Sequence, residues 1–145
     1  TKPTDEQNED TPYTTINAFE CTLAFVPRGN LFLMEDALAP GAINSGNNTD
    51  ISSGFLEYIV EIGNDYPVTE DSVQLIKFTL MKTAPGHLDI FLTPTSNPGI
   101  PGEMTYQSVS GEQRVMHPSQ TPAFSWEPGL LLESEPFGSV KALYR

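Results

Sequence analysis

The chain predicts an all-β fold: an antiparallel β-sandwich or jelly-roll-like barrel of about 8–10 strands with little helix. Three observations carry that expectation. Short apolar runs of strand length follow one another, and nearly every gap between them holds Pro, Gly, Asn or Asp. Within the clearest run, Phe19, Cys21, Leu23 and Phe25 alternate with Glu20, Thr22 and Ala24, the two-residue period of a half-buried strand. No comparably long stretch places apolar residues at helical spacing, and 13 prolines and 11 glycines supply the turns.

In chain order, strands are expected near 16–26, 30–34, 54–62, 73–82, 87–93, 104–109, 113–117, 122–126, 129–133 and 139–144. Residues 1–15 are polar and acidic, with Tyr13 the only aromatic, and read as a flexible tether before one domain spanning 16–145. At the other end Val140, Ala142 and Tyr144 alternate with Lys141 and Leu143, the pattern of a strand docked in the sheet. Leu23, Phe25, Leu56, Tyr58, Val60, Ile76, Phe78, Leu80, Leu88, Ile90 and Leu92 form the expected core, each on the apolar face of its run. Prolines at strand ends, among them Pro67, Pro85, Pro94, Pro118, Pro122, Pro128 and Pro136, would limit edge-to-edge pairing. Two long connections remain. Residues 35–53 contain Pro40-Gly41 and the turn-forming run Asn44 to Asp50, with a helical turn expected around 34–38. Residues 93–102 carry three prolines and two glycines, so this loop is expected to project from the sheet.

Nineteen acidic residues against seven basic ones give a formal net charge of −12. Such a surface repels phosphate backbones, so nucleic acid is not an expected partner, and no apolar run approaches the roughly 20 residues that span a bilayer as a helix. The single cysteine, Cys21, excludes an internal disulfide and falls on an apolar face, where a buried, inert thiol is expected. His87 and His117 are the only histidines, and no GxSxG elbow accompanies them. Glu57 and Glu61 share one face of the 54–62 strand, but four residues along a strand is about 13 Å, too wide for a glycosidase pair, and both read as solvent-facing. No catalytic residue is assigned, and the chain is not expected to be an enzyme.

Binding is expected at the loop ends, through Asn47 and Asn48 in one loop and Thr95, Ser96, Asn97 and Ile100 in the other. The partner would be a protein or glycan receptor, with self-association into an assembly also compatible. Asp50, Asp65 and Asp71 are weak Ca²⁺ candidates, because oxygen-rich loops suit that ion, but neither loop matches an EF-hand and no cofactor is assigned. Asn47-Asn48-Thr49 also satisfies the N-glycosylation pattern. Tyr66, Tyr106, Phe124, Trp126 and Phe137 lie near strand ends, where exposed rings would suit a carbohydrate-binding module and buried ones a core.

The segment Gly54-Phe55-Leu56-Glu57-Tyr58-Ile59-Val60-Glu61-Ile62 resembles late strands of icosahedral virus capsid proteins in its Glu-Tyr-x-Val-Glu core. The resemblance covers nine residues and transfers no functional residue. It implies a protruding domain on the virion surface, joined to a shell by residues 1–15. Read together, these features lead to the expectation of a non-catalytic, surface-displayed structural or attachment module, extracellular or on a virion. The alternatives are a secreted carbohydrate-binding module and a small β-fold hydrolase.

Overall fold

The computed structural model describes residues 15–67, 74–107, 111–118 and 120–126. Nine strands occupy them: β1 (Thr15–Val26), β2 (Leu31–Leu38), β3 (Ala42–Asn44), β4 (Phe55–Pro67), β5 (Ile76–Lys82), β6 (Leu88–Thr93), β7 (Met104–Gln107), β8 (Gln113–Met116) and β9 (Phe124–Trp126). They build two antiparallel sheets, consistent with a sandwich, and among the described residues no closed barrel forms. Seven strands make the large sheet and β2 with β5 make the small one. At twelve residues, β1 is long enough to organise the large sheet. One edge pairs with β4 along nearly its whole length, while the other pairs with β7 at Ala18–Glu20 and with β6 at Thr22–Val26.

Register sorts side chains by face. Phe19, Cys21, Leu23 and Phe25 of β1 meet Val60, Tyr58 and Leu56 of β4 on the inner face, joined there by Leu88 and Ile90, and all are buried. Burial pushes the Cys21 thiol up to about 12, and the neighbouring Glu20 charge adds to the effect, so the thiol is held in its protonated, weakly nucleophilic form. The Tyr58 hydroxyl donates to Asp36 Oδ2 at 3.0 Å, a polar tie between the two sheets, and burial followed by the Asp36 charge raises its pKa.

Several sequence expectations are corrected here. Strand β2 runs on through Leu38, so the turn expected at 34–38 is extended chain, and the 35–53 connection contains β3 and a short 3-10 turn at Ile51–Ser53. Strand β1 starts at Thr15, which removes that residue from the tether. Ile76, Phe78 and Leu80 are half-buried, because in a sheet only two strands wide each of them lies at an edge, and Leu92 on β6 of the large sheet is half-buried as well. Residues 1–14 and the strands expected at 129–133 and 139–144 lie outside the described residues.

Candidate functional site

The outer face of the large sheet is covered where β1 and β4 carry Glu20, Thr22 and Glu57, and exposed at Val26, Ile43 and Glu61. The two glutamates account for the covered part. Glu57, expected in solvent, is 2% exposed, and Glu20 is 8% exposed. Register places Glu20 beside Ile59 and Glu57 beside Thr22, making the two carboxylates diagonal neighbours on adjacent strands, about 7–8 Å apart at Cα. A carboxylate leaves water without heavy cost only when donors replace its hydration. The loops supply them. Ser96 N–H donates to Glu57 Oε1 at 2.7 Å and Asn47 N–H to Oε2 at 2.8 Å. On Glu20, Oε1 accepts from Gly99 N–H at 2.7 Å and from the Thr105 hydroxyl at 2.6 Å, while Oε2 takes a longer contact of 3.4 Å from Thr95 Oγ1.

The 93–102 loop therefore lies down on the sheet instead of projecting from it. Thr95, expected at an exposed binding surface, is 5% exposed and serves as an anchor. Proline and glycine keep this loop out of strand pairing, but they leave its N–H groups free to reach side chains beneath. The other loop is fixed by Asn44, whose Oδ1 accepts from Gly46 N–H and Ile59 N–H and whose Nδ2 donates to the Glu57 carbonyl. Asn48 O accepts from Glu57 N–H, and Asn48 Nδ2 donates to the Phe55 carbonyl. A Cβ at Gly46 would collide with the Glu57 carbonyl oxygen, so only glycine allows this approach.

One carboxylate thus ties both loops expected to bind. Asn47, Ser96 and Asn97 remain exposed at their junction, and Ile100 is half-buried. Beside them a groove of about 330 Å³ opens between β1, β4 and the β7–β8 hairpin, with Asn17, Glu20, Ser45, Glu61, Gln107 and Gln113 in its lining. Asn17 Oδ1 is buried without a hydrogen-bond partner among the described residues. In the sequence, spacing from Glu61 marks Glu57 for attention, whereas no motif marks Glu20. The available signal was a glutamate between large apolar neighbours, as in Phe19-Glu20-Cys21 and Leu56-Glu57-Tyr58, but covered and uncovered strands share that pattern.

The chemistry of these groups is constrained. The Ser96 N–H bond, with a smaller contribution from Asn47, holds the Glu57 carboxyl below the usual carboxylate range despite its burial. That shift is the reverse of what a general acid needs. His87 Nε2 sits 2.7 Å from Asp89 Oδ2, and Ser125 Oγ donates to Asp89 Oδ1 at 2.5 Å, across the β6–β9 register. The carboxylate, not the imidazole, lies in the middle, so the serine proton is directed at an acceptor that does not function as the base of a Ser-His-Asp triad. The Ser125 bond, then His87, lowers the Asp89 pKa. His117 is exposed.

Asp50 is occupied as the cap of the 3-10 turn, with Ser52 N–H on Oδ1 and Ser52 Oγ on Oδ2, and those bonds lower its pKa. Among the described residues no three His, Cys, Asp or Glu side chains are grouped to hold a metal. Asp71 and the side chain of Asp65 lie outside the described residues. Of the aromatics, Tyr106 is buried, Trp126 packs half-buried against the core and Phe124 is exposed, so no row of exposed rings forms among them. No helix of the described residues is long and apolar enough to cross a membrane. Compared with protein-family models, curated proteins and solved structures, the chain matches none.

Proposed function

We propose that this domain is a non-catalytic attachment module displayed on a surface, such as a protruding domain of a virus capsid protein or a subunit of another extracellular assembly. The observation that carries the reading is the Glu57 carboxylate bonded to Asn47 N–H and Ser96 N–H together. It joins two turn-rich loops into one preorganised surface, and preorganisation lowers the entropy lost on binding. The strongest acid–base candidates are already engaged in that task, which favours recognition over turnover. Asn47, Ser96 and Asn97 present the contact groups.

A second reading, a carbohydrate-binding module, is favoured by the adjoining groove. Its Asn17, Gln107, Gln113 and Glu61 side chains are donors and acceptors suited to sugar hydroxyls. Fluorescent beads coated with the domain test both readings on a panel of cultured cells and on a glycan array. Asn47→Ala, Ser96→Ala and Asn97→Ala together should reduce cell adhesion at least about tenfold, the loss of about 1.4 kcal/mol or more, with the circular dichroism spectrum of the folded chain retained. Unchanged adhesion rejects the loop surface. Array binding that survives this triple variant but fails with Gln107→Ala and Gln113→Ala selects the carbohydrate reading. Release of cleaved sugar rejects a non-catalytic role.

A further inference from the structure

The outer face of the small sheet shows the opposite distribution of polarity. Phe32 is 57% exposed, Met34 61% and Met81 45%. Single exposed apolar residues are common, but these three are neighbours: Phe32 lies opposite Met81 in the β2–β5 register, and Met34 sits at the irregularity between Leu33 and Glu35. Further along the same face Glu35 lies opposite Thr79 and Ala37 opposite Lys77. The strip therefore runs from an apolar end to a charged end carrying one acid and one base, both exposed.

We propose that this face is a homodimer interface, in which two copies stack small sheet on small sheet about a twofold axis parallel to the strands. That operator exchanges β2 and β5 while preserving position along them. Phe32 of one copy then covers Met81 of the other, and Met81 covers Phe32, which makes the contact self-complementary as a twofold interface requires. Glu35 falls over Thr79 of the second copy, one side-chain step from its Lys77. Charge decides the occupant. A purely acidic or purely basic partner would leave either Glu35 or Lys77 opposed by like charge, whereas a second copy matches both. On a chain of net charge −12, a strip balanced between one acid and one base is also where two copies approach with least repulsion.

The test is sedimentation equilibrium of the full 145-residue chain from about 1 to about 500 μM at about 0.15 M salt, a range that brackets a micromolar Kd. The weight-average mass should rise from one chain towards two. Phe32→Asp with Met81→Asp should hold the chain monomeric throughout, with its circular dichroism intact. Glu35→Lys and Lys77→Glu provide a second, fold-neutral probe. Each alone should weaken the dimer about tenfold, since every pair occurs twice, and the double exchange should restore it to within about threefold. A wild-type chain that stays monomeric overturns the proposal. So does a dimer indifferent to the aspartates, or single charge reversals that the double exchange fails to rescue.

Discussion

The outer face of the large sheet buries Glu20, Thr22 and Glu57, while the outer face of the small sheet leaves Phe32, Met34 and Met81 in solvent. Both are second faces of strands whose first faces share one core. They differ in what covers them. Over the large sheet the 44–50 and 93–102 loops bring N–H and hydroxyl donors to two carboxylates, so the polar groups are satisfied without water. Among the described residues no comparable loop covers Phe32 and its neighbours. The comparison shows that a residue's polarity does not settle whether it is buried. Glutamates can be interior groups where backbone donors converge on them.

The largest effect should separate the two halves of the core. Phe25, buried in the large sheet, should lose about 3–5 kcal/mol on Phe25→Ala in urea titration. Phe78, half-buried in the small sheet, should lose clearly less on Phe78→Ala, because part of its ring already meets solvent. Equal losses would break the comparison, since they would mean that the small sheet is covered as fully as the large one.

Next comes the pair of glutamates on one face of β4. Glu57→Ala removes the acceptor for two loop N–H groups and should cost about 2–4 kcal/mol, the range for charge-assisted bonds plus stranded donors. Glu61→Ala, four residues along on the same face but exposed, should change stability by no more than about 0.5 kcal/mol. Urea titration of the two variants measures the contrast. Similar costs would show that the loops do not depend on Glu57.

The fold was legible in the sequence to the extent that alternation governs it. Strand β1, the inner face of β4 and the start of β6 follow the two-residue period, and β1 and β6 lie within a residue of their expected bounds. Strand β4 starts one residue late and runs on to Pro67, five residues past its expected end, where Gly63-Asn64-Asp65 reads as a turn. Strand β3 carries no such signal, because Ala42–Asn44 is too short to show a period and lies among turn residues. The candidate site was half legible. Both loops were marked by Asn, Pro and Gly, but composition carries no sign of whether a loop stands clear or folds back. That choice depends on Glu20 and Glu57 beneath, and on glycine at 46, whose Cα lies against the Glu57 carbonyl. Burial of Thr95 depends on a partner 75 positions away, which no local pattern encodes.

Acid should release the covered face before it disturbs the bare one. Glu57 has a folded pKa below its unfolded value of about 4.3, so its bonds contribute stability that is fully present above the unfolded pKa. The contribution is lost as pH falls through the depressed folded value. Urea titrations between pH 7 and pH 3 should therefore show wild type losing more stability than Glu57→Gln, whose amide does not titrate. Parallel curves would mean that the carboxylate is not preferentially ionised in the fold.

The smallest expected effect lies on the bare face. Phe32→Ser and Met34→Ser exchange apolar side chains for polar ones at positions already more than half exposed, so the folded and unfolded states present similar surface and little transfer free energy is at stake. At concentrations where the chain is monomeric, each should shift stability by no more than about 0.5 kcal/mol. At concentrations where two copies associate, the same substitutions should remove the concentration dependence of the melting temperature, because stabilisation by association follows mass action. A loss above about 1.5 kcal/mol in the dilute monomer would mean that the chain itself covers this face, and the contrast between the two sheets would disappear.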